Sequence, residues 1–79
     1  MIQRVEGEKV IGLKQTIKHI KNGRGQCLYI AKDADGKLID PVIELAKEKS
    51  LQVIYVETMK ELGILCGIDV GAAVALILR

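Results

Sequence analysis

The sequence predicts an α/β protein, a three-layer α-β-α sandwich around a four-stranded mixed sheet. Short apolar runs typical of buried strands alternate along the chain with segments whose apolar residues recur at helical spacing. Such alternation is typical of domains whose helices cover both faces of a sheet. The 79 residues, 49% of them hydrophobic, suffice for one domain (residues 1–79) with its own core.

The first predicted elements are a brief strand and a basic helix. Residues 10–11 are an apolar pair ended by Gly12, which indicates a short strand or a turn. A helix is expected from residue 13 or 14 to residue 22, because glycines follow it closely. Its predicted buried stripe is Leu13, Ile17 and Ile20. The apolar run at residues 27–31 then predicts a fully buried strand.

The middle of the chain predicts a second helix and a second strand. After a polar loop at residues 32–36, Asp40 is expected to cap a helix whose first residue is Pro41. That helix should run to about Lys49 and bury Val42, Ile43, Leu45 and Ala46. Residues 53–56 are the next predicted strand.

The last third predicts a helix, an exposed loop and a final strand. Thr58 and Glu61 have the spacing of a capping box, with Thr58 as the N-cap. The helix should end by Cys66, because Gly67 readily adopts a left-handed conformation. Residues 68–71 follow as the loop and residues 72–78 as the strand. The preference for right-handed crossover connections limits the possible topologies of the sheet but does not determine the strand order.

The composition argues against stabilising disulfide bonds, structural metal sites and membrane spans. Cys27 and Cys66 are far apart, which favours two small buried residues in a reducing compartment over a disulfide framework or a metal site. The first residues lack the apolar core of a signal peptide, and the longest apolar run, residues 72–78, is too short for a bilayer. We therefore expect a soluble, cytoplasmic protein with no membrane partner.

Positive charge is concentrated at the start of the chain. Residues 1–26 contain six basic and two acidic side chains, whereas residues 27–79 contain six basic and eight acidic ones. A basic first third on a mildly acidic body indicates a localised anion-binding face. A solvated helix face rich in lysine would give the same distribution.

The segment 12–18 combines a glycine with a basic helix start. Gly12 permits close approach of another backbone, and the helix start offers free N–H groups to a phosphate. Lys14 and Lys18 lie one turn apart and can reach one patch, while the Gln15 amide between them can donate to and accept from a base edge. An ordinary amphipathic helix after a glycine is the simpler explanation of the same residues.

The predicted loop 67–71 places two branched apolar residues between glycines. Exposed apolar side chains of this kind indicate a binding role. Ile68 and Val70 could pack against an unstacked base, with Asp69 between them. The alternative is that both side chains tuck under the edge of the sheet as a small extension of the core.

Catalysis and aromatic stacking are both disfavoured. No nucleophile elbow, P-loop or dinucleotide motif occurs, so neither an enzyme nor a cofactor is expected. The chain has no Phe or Trp, and Tyr29 and Tyr55 fall in predicted strands, so stacking platforms of the RRM or OB type are not expected. A basic helix with an apolar loop suits instead a structured RNA with a splayed-out nucleotide.

Three motifs in order resemble one family. Residues 12–18 fit Gly-x-Asn/Lys-Glu/Gln-x-x-Lys, and residues 62–70 fit Leu-Gly-x-x-x-Gly-Ile/Leu-Glu/Asp-Val, followed by small residues. The strand end at residues 30–35 is also similar. The chain therefore resembles, over about residues 10–78, the kink-turn-binding ribosomal proteins of the L-seven-Ae and L-thirty-e superfamily. The likeness is greatest to its small bacterial ribosomal-protein-like members.

The resemblance implies an α-β-α sandwich that recognises a sharply bent RNA helix. Lys14 and Gln15 would then contact guanine edges at sheared G·A pairs, and Lys18 a base or a phosphate. The loop residues Ile68, Asp69 and Val70 would pack around a flipped-out nucleotide. The same surface would include Gly12, Leu13, Lys21, Lys32, Asp33 and Gly71.

The sequence departs from the family pattern in three places. Lys14-Gln15 replaces the Asn-Glu of archaeal members, Ile64 replaces a basic residue common in bacterial relatives, and the N-terminal helix of longer relatives is shortened to residues 3–9. The expected function is non-catalytic binding of a kink-turn in ribosomal or regulatory RNA by a monomer, with the ribosome as a further partner. The rival is a protein-interaction module that uses Ile68, Val70 and the last helix.

Overall fold

The computed structural model describes residues 8–78, and these residues form four strands and three helices. In chain order the elements are β1 (Lys9–Ile11), α1 (Leu13–Lys21), β2 (Cys27–Ala31), α2 (Gly36–Glu48), β3 (Gln52–Val56), α3 (Met59–Cys66) and β4 (Val74–Ile77). None of these helices is long and apolar enough to cross a bilayer.

The strands form a single mixed sheet in the order β1-β4-β2-β3. The last strand, β4, lies between β1 and β2 and is antiparallel to both, while β2 and β3 are parallel. Strands β1, β2 and β3 therefore all point in one direction. Their carboxyl ends meet the start of β4 at one end of the sheet.

Helices cover both faces of this sheet, as the sequence predicts. Side chains on alternate positions of a strand point to opposite faces. Leu28 and Ile30 of β2 pack with α1 and α2, whereas Ala31 packs with α3. Strand β4 is divided in the same way, since Val74 and Leu76 belong to the first cluster and Ala75 to the second. The predicted α-β-α sandwich is confirmed.

Local capping signals place α3 where the sequence predicts it. The Glu61 backbone N–H donates to Thr58 Oγ1 at 3.0 Å, which satisfies a donor that the first helical turn leaves without a partner. Gly67 ends the helix with φ 77° and ψ 28°, in the left-handed region that glycine adopts without strain. The predicted span of β2 is also correct, and α1 ends one residue earlier than predicted.

The predicted start of α2 at Asp40 is wrong. The helix begins at Gly36, five residues before the predicted first residue Pro41, because Asp35 is its N-cap and accepts the Lys37 backbone N–H at 3.0 Å. Pro41 consequently lies inside the helix. The additional turn places Ile39 in the core, which gives the earlier start a packing advantage that the capping signal alone does not reveal.

Several predicted burials also require correction. Thr16 is the fully buried partner of Ile20 in α1, while Leu13 and Ile17 are only partly buried. Cys27 is partly exposed, although its strand was expected to be fully buried. Strand β4 covers four residues instead of 72–78, and all four are buried.

Two further expectations concern the start of the chain and the tyrosines. Lys9 lies in β1 and not in a helix, and residues 3–7 of the expected N-terminal helix lie outside the described residues. Tyr29 and Tyr55 are in strands as predicted, but Tyr55 is 51% exposed on the edge strand β3. Among the described residues Tyr55 is the only exposed Tyr side chain. A single exposed ring does not provide the several aromatic faces on which successive bases stack.

Candidate nucleic-acid interface

The fold collects most of the predicted site residues at one end of the sheet. Gly12 follows β1, Lys32 and Asp33 follow β2, and residues 68–71 come shortly before β4. The strand directions bring these three connections to the same end. Residues that are up to 59 positions apart in the sequence, from 12 to 71, therefore form one surface.

Backbone hydrogen bonds hold the connections together. The Gly12 N–H donates to the Val74 carbonyl oxygen at 3.4 Å, which joins the start of α1 to the start of β4. The Ala31 N–H donates to the Ala73 carbonyl oxygen at 3.0 Å, and the Lys32 N–H donates to that of Val56 at 2.8 Å. The helix start, the end of β2 and the approach to β4 are thus fixed relative to one another.

Helix α1 begins at this end of the sheet, with a basic face and an N-terminus that no side chain caps. Gly12 precedes it with φ 104°, a conformation that strains any residue with a Cβ. No side chain caps the helix, and its first turn contains no acidic residue. The first N–H groups, which have no acceptor within the helix, therefore carry the positive end of the helix dipole.

The lysines of α1 share one exposed face. Lys14, Lys18 and Lys21 follow at helical spacing, and none of them makes an ion pair with another residue between 8 and 78. Gln15, beside this face, is also exposed. Lys21 lies about 10 Å farther along the helix axis than Lys14, because each residue rises about 1.5 Å. Lys14, Gln15 and Lys18 thus lie at the end of the sheet where these connections meet. Lys21 extends the basic face of α1 away from that end.

The loop before β4 is seated on α3. The Ile68 N–H donates to the Gly63 carbonyl oxygen at 3.0 Å, and the Ala72 N–H donates to that of Met59 at 3.0 Å. Gly63 lies so close to the Val70 carbonyl that a Cβ there would overlap it. A Cβ on Gly71 would lie 3.2 Å from the Met59 Cβ. The loop and the helix are therefore packed backbone to backbone.

The two apolar side chains of the loop have different environments. Ile68 is partly buried and packs against the core cluster below α3, as the core alternative expects. Val70 is 69% exposed, and Asp69 beside it is also exposed. Met59, at the first position of α3, adds a second exposed apolar side chain next to the loop. The loop thus offers an apolar tip centred on Val70.

Lys32 and Asp33, in the turn after β2, lie at the same end of the sheet and have partners in the fold. Lys32 Nζ forms an ion pair with Glu57 Oε2 at 3.0 Å, with both side chains more than half exposed. Asp33 Oδ1 accepts the Met59 backbone N–H at 2.8 Å. Sequence reasoning missed Glu57 and Met59, because these partners are 25 and 26 residues away from Lys32 and Asp33.

The described residues hold no assembled catalytic or metal-binding group. Burial raises the pKa of the Cys66 thiol, so this sulfur stays protonated and poorly nucleophilic near neutral pH. Burial likewise raises the pKa of Cys27. Between residues 8 and 78 no three His, Cys, Asp or Glu side chains come together in a way that could hold a metal ion.

Comparisons with known proteins point to one family. The ribosomal protein L7Ae/L30e/S12e/Gadd45 family matches residues 2–79. An RNA-binding protein of Caldanaerobacter subterraneus subsp. tengcongensis is 44% identical over 75 residues, which cover 95% of this chain and 92% of that protein. RNA-binding protein YbxF of Geobacillus stearothermophilus is 45% identical over 73 residues, with coverages of 92% and 89%.

More distant similarities reach an archaeal ribosomal protein and a eukaryotic structure. The large ribosomal subunit protein eL8 of Halobacterium salinarum is 35% identical over 75 residues, which cover 94% of this chain and 62% of that protein. The structure of the 15.5kD RNA binding protein of Giardia lamblia has a TM-score of 0.83 at 22% identity, and the match covers 90% of this chain and 60% of that one. At that identity the structural similarity shows a common fold.

Proposed function

The chain belongs to the ribosomal protein L7Ae/L30e/S12e/Gadd45 family, and on that premise we propose that it binds RNA and stabilises the kink-turn conformation without catalysing a reaction. The observation that carries the proposal is the pairing of two unlike surfaces at one end of the sheet. The basic face of α1 and the apolar tip at Val70 are linked there through the hydrogen bond from Gly12 to Val74.

The basic face supplies attraction to the RNA backbone. Lys14 and Lys18 are exposed beside an uncapped helix N-terminus, an arrangement that favours phosphate groups. Each lysine that neutralises a phosphate releases a counterion, so the affinity should fall as salt concentration rises. Gln15 lies beside these lysines and offers an amide to a base edge, which a lysine side chain cannot both donate to and accept from.

The apolar tip supplies selectivity for shape. An undistorted A-form helix keeps its bases stacked and its major groove too narrow for side chains. A kink opens the groove to α1 and releases a nucleotide that Val70 can cover, with Met59 next to it. The protein then binds the bent conformer in preference to the straight one and shifts the RNA towards it. We propose that it does so as a cytoplasmic monomer, on ribosomal or regulatory RNA.

A gel-shift comparison tests this function directly. A kink-turn RNA should bind more tightly than a straight duplex of the same length and base composition. Gln15→Ala and Lys18→Ala should both weaken binding to the kink-turn. Lys47→Ala is a matched control, because Lys47 is also an exposed helical lysine but lies in the last turn of α2, near the other end of the sheet. Equal affinity for the two RNAs would contradict the proposal.

A protein-interaction module is the second candidate, because Ile64 and Val70 are exposed apolar residues on α3 and its loop. Binding of that kind depends on apolar area and changes little with salt. It therefore predicts that Val70→Ser abolishes partner binding while Lys18→Ala has little effect. RNA binding predicts a large effect of Lys18→Ala and a steep dependence on salt.

A further inference from the structure

Asp33 is connected to the loop by an unbroken chain of contacts. Its carboxylate accepts the Met59 backbone N–H at 2.8 Å, and the Met59 carbonyl accepts the Ala72 N–H at 3.0 Å. Met59 also approaches Gly71, since a Cβ on that glycine would lie 3.2 Å from the Met59 Cβ. Met59 is thus held by Asp33 on one side and holds the loop on the other.

Helix capping alone does not account for the Asp33 bond. Thr58 already caps α3, through its hydroxyl and the Glu61 N–H. Asp33 comes instead from the turn after β2 and binds the first residue of α3 across 26 positions of sequence. Its bond therefore fixes where the start of α3 lies relative to β2, and β2 is joined to the loop side through the hydrogen bond from Ala31 to Ala73.

We propose that Asp33 is a positioning residue for the RNA-binding loop, acting through Met59 on residues 69–72 and not by touching RNA. The inference rests on the proposed function, since it assigns a consequence to the position of Val70. Free of the Asp33 bond, the start of α3 can move away from β2, and Gly71 and Ala72 move with it. The apolar tip then loses its fixed distance from the basic face of α1.

The positioning role and simple electrostatics predict opposite changes in RNA affinity when the carboxylate is lost. Asp33 is an exposed negative charge beside a surface proposed to bind phosphates. Removing a negative charge from such a surface should strengthen RNA binding. A positioning role predicts weaker binding whenever the acceptor oxygen is lost, whatever happens to the charge.

Asp33→Ala and Asp33→Asn separate the two effects, because both remove the charge and only Asn keeps an oxygen that can accept the Met59 N–H. The loss of kink-turn affinity expected for Asp33→Ala is about threefold to tenfold, the fold-change of one net hydrogen bond. Asp33→Asn should bind at least as tightly as the unaltered protein. The salt dependence should be the same in both variants, because the number of phosphate contacts is unchanged.

Hydrogen exchange in the free protein provides a second readout that needs no RNA. The Ala72 amide, which donates to the Met59 carbonyl, should exchange faster in Asp33→Ala than in Asp33→Asn. The Leu28 amide in the core strand β2 serves as the reference for intact global structure. Faster exchange at Ala72 supports the positioning role even if the protein shows no preference for kink-turn RNA, so failure of the proposed function remains distinguishable.

Two results would overturn the inference. If Asp33→Asn loses as much affinity as Asp33→Ala, the acceptor oxygen does not account for the loss. If Asp33→Ala leaves both RNA affinity and Ala72 exchange unchanged, the bond to Met59 does not hold the loop.

Discussion

Replacing Gly63 by alanine should displace the loop at residues 68–71 from α3. An added Cβ would overlap the Val70 carbonyl oxygen and lie 3.0 Å from the Val70 carbonyl carbon and 3.3 Å from the Gly71 Cα. All of these atoms belong to the backbone, so no side chain can rotate away to make room. The helix or the loop must therefore move.

The expected net cost follows from two opposing effects. Forcing an extra carbon into a packed site costs about 1–3 kcal/mol, and a backbone obstacle places this case in the upper half of that range. Alanine also favours the helix by about 1 kcal/mol over glycine. We therefore expect Gly63→Ala to lower the free energy of unfolding by about 1–2 kcal/mol, which is a large part of the stability of a small domain.

Urea denaturation measures this change, with Gly36→Ala as the matched control. Gly36 is also a helical glycine, but a Cβ there meets only Asp40 Oδ2 at 4.0 Å. Gly36→Ala should therefore raise stability by about 0.5–1 kcal/mol. The RNA affinity of Gly63→Ala should fall as well, because Val70 is displaced. A Gly63→Ala variant as stable as Gly36→Ala would refute the close packing described for this loop.

Three other perturbations have defined outcomes. Lys18→Ala should reduce the slope of log affinity against log salt by about one when RNA binding is titrated, provided that the lysine contacts a phosphate. Glu57→Gln should tighten RNA binding, because it removes a negative charge and releases Lys32 from its ion pair; unchanged affinity would show that Lys32 lies outside the interface. Because burial raises the pKa of the Cys66 and Cys27 thiols above their unfolded values, their protons favour the folded state. Their contribution is complete below the unfolded pKa and is lost as pH rises through the folded one. Alkaline urea titrations should thus show falling stability, and Cys66→Ala should weaken this dependence.

The sequence predicts best those features that are specified by neighbouring residues. The N-cap at Thr58, the left-handed cap at Gly67 and the span of β2 are all specified within a few residues, and each lies where it is predicted. The start of α2 was misplaced because Asp35 and Asp40 both satisfy the local requirement for a cap. The choice between them depends on packing of Ile39 against strands that are distant in sequence.

Motifs in the sequence were enough to identify the family and to propose a candidate site, whereas the contacts within that candidate site could not be predicted. The resemblance inferred from three motifs is confirmed by the match over residues 2–79. The pairing of Asp33 with Met59 and of Lys32 with Glu57 depends on β2 and β3 lying side by side in register. Periodicity cannot provide this information, because it identifies strands without saying which of them are neighbours. The different environments of Ile68 and Val70 likewise depend on how the loop rests on α3.

The central place of β4 has a consequence for the order of folding events. Ribosomes synthesise this strand after all the other described elements, yet β1 and β2 meet only through it. Until residues 74–77 insert, β1 has no strand beside it, and neither face of the sheet is complete. The molecule is therefore expected to fold in one concerted step that awaits β4, and not to grow outward from its first helix. Because Val74 also links α1 to the loop side, the proposed RNA-binding surface would form only at that step.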